Sequence, residues 1–214
     1  MSFRVKKASW RLVAIFSVFI STYPILYLVK GKEFGLLLSK AKDVLSDSLW
    51  NIGFYGHIIF GGIALAIGWI QFNEKWRKKN IDLHRKIGKT YVITVLISGI
   101  CGVFIGYFAT GGIISSVGFM ALGLTWLSTT VGSFIAVKNG NIHRHQVLMI
   151  YSYAACFAAV TLRIWLPLLI ASIGEFLPAY RIVAWLCWIP NLIVAYFIVK
   201  GITTKKPTLK MVAV

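Results

Sequence analysis

The chain has 214 residues, 58% of them hydrophobic and only 14% charged, about half the charged share of an ordinary globular domain. That composition excludes a soluble domain. Aperiodic glycines, and the placement of Cys101, Cys156 and Cys187 within apolar runs, exclude a collagen-like or disulfide-stapled chain.

A first apolar span over about 10–29 follows Arg4, Lys6, Lys7 and Arg11. It exceeds the roughly 7–15 residues of a signal-peptide core and reads as a retained anchor. Between Gly31 and Trp50, Phe34, Leu37, Leu38, Ala41, Val44, Leu45 and Leu49 recur at helical spacing. Lys40, Lys42, Asp43 and Asp47 fall on other faces, which predicts a short amphipathic helix on the outer leaflet, the alternative being an ordinary connector with some helicity. Further spans follow over about 52–72, 88–109, 113–137, 147–170 and 182–200, each near the ~20 residues that cross a bilayer core. The last contains Pro190, which predicts a kink.

The fold class expected is therefore all-α integral membrane, with six transmembrane helices. It divides into an N-terminal anchor and outer segment (1–51), a four-helix core of two tandem hairpins (52–170), and a sixth helix with a basic tail (171–214).

The formal net charge of +17 would raise nucleic-acid binding, but the positions of the cations point elsewhere. With the N-terminus inside, seventeen of the 23 Lys and Arg residues fall in inner segments and five in outer ones, with Arg163 inside a span. That asymmetry is the positive-inside rule. It places both termini in the cytoplasm, makes anionic phospholipid the partner of the basic excess and leaves no role for nucleic acid.

Asn80-Ile81-Asp82-Leu83-His84-Arg85 precedes the third span and Asn139-Gly140-Asn141-Ile142-His143-Arg144 the fifth, 59 residues apart. Two hairpins of equal sense suggest a duplicated four-helix bundle. Each core span also has a stripe at steps of four and three, which keeps residues on one helical face. The stripes are His57, Gly61, Ala64, Gly68, Gln71; His84, Gly88, Tyr91, Val95, Ser98, Gly102; Gly118, Ala121, Thr125, Ser128, Gly132; and His145, Met149, Ser152, Cys156, Ala159, Arg163. Small residues there let backbones approach, so these faces are expected to look inward.

The four histidines divide one to three by depth. His57 lies near the outer end of its span, whereas His84, His143 and His145 lie at the inner rim. Two bis-histidine haems would need two histidines in each layer, so one b-type haem is the maximum, ligated by His84 with His143 or His145. The stripe favours His145, because His143 is about 200° around the helix; the repeat favours His143. Arg85 and Arg144 would neutralise haem propionates. Zinc or copper through His84, His143 and His145 is a weaker metal reading, for lack of compact spacing. The same cations suit lipid phosphates at helix starts, with Asp82 and Asn141 as N-caps.

An arginine at membrane depth is costly and points to function. Arg163 falls at nearly the depth of His57, so these two with Gln71 make the candidate outer ligand site, suited to a quinone oxygen, a propionate or a lipid phosphate. Simpler alternatives are an Arg163 that snorkels to headgroups and a neutral His57 bonded to a backbone carbonyl. No Asp or Glu lies within a span, which weakens a cation-coupled transporter; Glu175, in an outer loop, reaches Arg163 only if that loop folds back. Walker, dinucleotide, nucleophile-elbow and HExxH motifs are absent.

Residues 55–165 resemble a family of bacterial membrane proteins, the domain of unknown function 2306 family (DUF2306). The resemblance rests on Gly56-His57, Gln71, Arg77, Leu83-His84-Arg85, Gly88 and Tyr91, then His143-Arg144-His145-Gln146, Met149, Tyr153-Ala154 and Thr161-Leu162-Arg163. Gln146 departs from it, an aromatic residue being expected there. The resemblance implies a bacterial cytoplasmic-membrane location and supplies no reaction. The expectation is a four-helix core holding a redox ligand, one haem b or a quinone. The alternatives are a non-enzymatic binder or carrier of a lipid or small anion, and a structural membrane subunit.

Overall fold

The computed structural model describes residues 3–203, with side chains from residue 10 to residue 202. The cations Arg4, Lys6, Lys7, Lys205, Lys206 and Lys210, which contribute to the expected topology, lie outside the described side chains. The first span is α1 (Phe3–Ser21) followed by α2 (Tyr23–Lys30). They part just before Pro24, which has no N–H to donate. The hydroxyls of Ser21 and Thr22 bond the Val18 and Phe19 carbonyls at 2.7 and 2.8 Å, so the irregular turn keeps its polar groups paired at membrane depth.

The expected amphipathic helix does not form. Gly31–Glu33 and Gly35–Ser39 are short 3-10 turns, and α3 covers only Lys42–Ser46. Gly31 and Gly35 hold φ of 62° and 58°, a region that breaks an α-helix, and Phe34 and Lys40 are extended. The apolar residues thus share no face: Leu37 and Trp50 are buried, while Leu38 and Leu49 are exposed.

Next come α4 (Ser48–Gly68), a 3-10 turn (Trp69–Phe72), α5 (Glu74–Lys79), α6 (Ile81–Tyr107) and α7 (Ile113–Lys138). The fifth span is α8 (Ile142–Cys156) with α9 (Ala158–Ile173), and the sixth is α10 (Phe176–Leu186) with α11 (Ile189–Thr203). Asp47 caps α4 by accepting from the Leu49 and Trp50 amides, and Asn141 caps α8 by accepting from the Arg144 amide at 2.9 Å. Asp82 is not a cap: α6 begins one residue earlier, and Asp82 pairs with Arg85 at 3.7 Å. Six stretches of 25 to 32 residues are long and apolar enough to cross a membrane. Most begin several residues before the apolar runs, because polar first turns continue the helix into the interface.

α4 packs on α6, α6 on α7, α7 on α8, and α8 returns to α4, closing a four-helix ring. The first span lies against α4 and α9; α10 lies against α7 and α9, and α11 against α8, so both outer spans flank the ring. Glycines set the close approaches. A Cβ at Gly61 would stand 2.9 Å from Ser98 Oγ, and one at Gly99 2.6 Å from Leu127.

The inward face of α7 differs from the expected stripe. Gly123, Trp126, Thr130, Ser133 and Ala136 are buried, Ser128 is exposed, and Gly118 meets the Ala184 carbonyl of α10. Because α7 has partners on two sides, it carries two small-residue stripes, and spacing alone does not say which one faces the ring.

The fifth and sixth spans break at Phe157 and at Cys187–Trp188, the latter just ahead of Pro190, as expected. The breaks adjoin. Thr161 Oγ1 donates to the Cys187 carbonyl, and Asn191 Nδ2 donates to the same carbonyl at 3.0 Å and to the Ala154 carbonyl at 3.3 Å. Side chains thereby satisfy carbonyls that the broken helices release.

Candidate functional site

At the His57 end of the ring, the first span, α4, α6, α7 and α9 enclose a cavity of about 220 Å³. Its walls are mainly apolar, with Leu65, Leu122, Trp126 and Leu162 among them, and its charged or titratable lining includes His57, Arg163 and Lys40.

His57 stands nine residues into α4, ~14 Å along the axis. Its Nδ1 lies 2.9 Å from the Ser98 carbonyl and 3.2 Å from Ser98 Oγ, while Ser98 Oγ donates to the His57 carbonyl at 2.8 Å. The imidazole lies over Gly102, where a Cβ would come within 2.7 Å of Nδ1. The serine thus clasps the histidine reciprocally. With Nδ1 donating to the Ser98 carbonyl, Nε2 carries the ring's lone pair.

Arg163 stands ten residues before the end of α9, ~15 Å along the axis, so it matches His57 in depth. Its guanidinium lies 4.3 Å over the Tyr23 ring, and Nη1 donates to the Ala159 carbonyl at 2.7 Å. Its Nε is buried with no hydrogen-bond partner among the described residues. Glu175 is exposed and forms no ion pair with it.

Lys40 is the residue that sequence reasoning missed, having placed it on the outer face of the amphipathic helix. It follows the second 3-10 turn, donates from Nζ to the Phe108 carbonyl, and lies 5.9 Å from the Trp50 ring. The helix-breaking glycines at 31 and 35 were the available signal.

Burial pushes the Lys40 ammonium down to about 8, from the usual 10.5. Between those values the unfolded chain binds more protons than the folded one, so folding stability rises with pH across that window. Thermal unfolding in detergent from pH 7 to 10 should show this rise in the native protein, and Lys40→Met should lack that component.

Gln71 does not join this group. It lies fourteen residues from His57 on the same span, ~21 Å away, and its Nε2 donates to the His84 carbonyl at 3.1 Å. The even stripe of α4 put both residues on one face but at opposite ends.

At that opposite end, His84 lies within electrostatic reach of Arg77, His145 and Arg85. His84 Nδ1 is buried without a partner. His145 repeats the serine clasp: Nδ1 is 2.8 Å from Ser133 Oγ, which also bonds the His145 carbonyl at 3.1 Å. His143 is exposed, so the helical stripe prevails over the sequence repeat in selecting the neighbour of His84. Arg85, paired with Asp82, and Arg144 are both exposed. Among the described residues no three His, Cys, Asp or Glu side chains gather as metal ligands.

Between the two ends runs a buried polar network. The Tyr91 hydroxyl lies 2.9 Å from Ser152 Oγ, which lies 2.7 Å from Thr130 Oγ1, and Trp126 Nε1 donates to Tyr91 at 3.4 Å. Tyr153 bonds Ser17 at 2.8 Å and the Leu65 carbonyl at 3.2 Å, tying the first span to the ring. Ser17, Thr130 and Ser133 were not singled out in the sequence; small hydroxyls among many in apolar helices carry no distinguishing pattern.

Fold and site together define a polytopic helical-bundle membrane protein with an internal cavity. A family model described as predicted membrane protein (DUF2306) matches residues 54–199, about two thirds of the length. The chain belongs to the DUF2306 family. Neither the curated proteins nor the solved structures provide a match.

Proposed function

We propose that the protein binds an amphipathic ligand in the His57–Arg163 cavity, with an electron-rich oxygen head between these residues and an apolar body against the walls. A quinone and an anionic lipid are the two heads that suit. The observation carrying this reading is Arg163, a cation in the lining of an apolar cavity, whose Nε is buried without a partner among the described residues. A buried polar group without a partner is costly, and a ligand oxygen would relieve that cost. His57 lines the same cavity, and its Nε2 would accept from a hydroxyl on the head, as in a quinol or a protonated acid, while Arg163 donates to the neighbouring oxygen. The positive-inside asymmetry of the sequence supports an orientation in which this cavity opens toward the outer side, with both termini in the cytoplasm.

A second reading rests on the buried, unpartnered Nδ1 of His84 beside His145. That pair, on facing helices α6 and α8, would serve as axial ligands of one b-type haem. A Soret band in the purified protein, lost in His84→Ala and kept in His143→Ala, would support it; a colourless protein from haem-sufficient cells would exclude it.

Trp50 and Trp126 line the cavity, so their fluorescence should change saturably with decylubiquinone or laurate, in intensity for the quinone and in emission wavelength for laurate. Arg163→Gln should weaken the bound probe about ten- to a hundredfold, the loss expected for a hydrogen bond to a charged group. Equal binding by this variant and the native protein, or no binding of either probe, would overturn the reading.

A further inference from the structure

Two buried or half-buried cations share the cavity, and neither meets a carboxylate. Arg163 is held by an aromatic ring and one backbone carbonyl, Lys40 by another ring and another carbonyl. Among the described residues the ion pairs are Lys78–Glu74 and Arg85–Asp82, both at the His84 end. Cations withdrawn from water are ordinarily balanced by a paired anion. Among the described residues none is supplied here, and much of the lining is hydrocarbon surface from residues such as Ile20, Pro24, Leu65 and Leu162.

Lys40 and Arg163 reach this cavity from separate parts of the chain. Lys40 comes from the connector after the first span, at the cavity's rim, and Arg163 from within α9. Tyr27 also lines the space and accepts a hydrogen bond from the Leu36 amide at 3.3 Å, which helps fix the connector that presents Lys40. A neutral quinone would leave both charges uncompensated, whereas an anionic head at Arg163 would compensate that charge and act on Lys40 through the low-dielectric cavity they share.

We infer that the ligand of this cavity is a single-chain amphiphile with an anionic oxygen head, carboxylate or phosphate, its head drawn by Arg163 and Lys40 and its chain lying against the apolar walls. The inference rests on the cavity being a ligand site and narrows its ligand class. Lys40 is then a specificity residue for the charged head, since its ammonium adds little for a neutral molecule of the same shape.

The test uses the full-length protein in dodecyl maltoside at pH 7, titrated with laurate, dodecyl phosphate, methyl laurate and decylubiquinone, with the intensity and wavelength of tryptophan emission as the readout. Laurate or dodecyl phosphate should bind at least tenfold tighter than methyl laurate, and the tighter of the two identifies a fatty acid or a phosphate-headed lipid as the source. Lys40→Gln should remove most of that preference by weakening laurate binding, and Lys40→Arg should keep it. Lys40 lies on a connector, and the melting temperature of each variant confirms that it folds. If decylubiquinone or methyl laurate binds as tightly as laurate, or Lys40→Gln leaves the preference intact, the anionic assignment fails while the cavity remains a ligand site. If none of the four binds, both fail.

Discussion

Tyr91→Ala is expected to destabilise the protein by about 3–5 kcal/mol, the usual cost of emptying a buried aromatic position. The Tyr91 side chain is fully buried in α6, at the centre of the four-helix ring, in one packed cluster with Leu65, Trp126 and Tyr153. Two contributions are separable. Its hydroxyl bonds Ser152 and accepts from Trp126, and hydrogen bonds between membrane helices are worth only about 0.6 kcal/mol on average and under ~2 at most. The ring supplies the rest through contacts that lipid cannot replace once a void opens inside the bundle. Tyr91→Phe should therefore cost about 1 kcal/mol and Tyr91→Ala several times more, measured by unfolding in detergent with added denaturant. Equal losses would show that the hydroxyl network, rather than packing, holds the ring together.

Gly68→Val is the second large expected effect, near the upper end of the roughly 1–3 kcal/mol that overpacking usually costs. A Cβ at Gly68 would lie 2.5 and 2.6 Å from two carbons of the Tyr153 ring and 2.9 Å from the Tyr91 ring. Neither ring can simply swing aside. Tyr153 is held by Ser17 and the Leu65 carbonyl, Tyr91 by Ser152 and Trp126. The strain would pass to α1 through Ser17 and to α8 through Ser152, so unfolding should shift as one transition. Gly201 provides the control: nothing lies within 4 Å of its added Cβ, and Gly201→Ala should leave the melting temperature unchanged or raise it slightly. A Gly68→Val protein as stable as that control would mean that the two tyrosines repack freely.

Much of the architecture was legible because the bilayer permits few solutions. Apolar runs near ~20 residues have to be helices, as no other open segment pairs its own backbone in lipid. The stripes of α4, α6 and α8 into α9 were also legible, since glycine and serine at steps of four and three mark close approach; the Gly61–Ser98 and Gly102–His57 contacts follow from them. Where a helix has two partners, as α7 does, the same signal became ambiguous and the wrong stripe was chosen. The connector after the first span misled for a different reason. Its apolar spacing suited a helix, but positive φ at Gly31 and Gly35 decided otherwise.

The sequence alone determined the membrane class, the six apolar helices and the similar depth of His57 and Arg163, because hydropathy and rise per residue are properties of a single helix. Which side chains meet was decided by tertiary structure, because contact depends on the relative rotation of different helices. That rotation set His145 instead of His143 within electrostatic reach of His84, removed Gln71 to the far end from His57, and gathered Ser98 and Gly102 around the His57 imidazole with Arg163 lining the same cavity. Lys40 entered the cavity only because the chain before it turned back over the bundle, a path fixed by long-range contacts with Tyr27, Trp50 and Phe108.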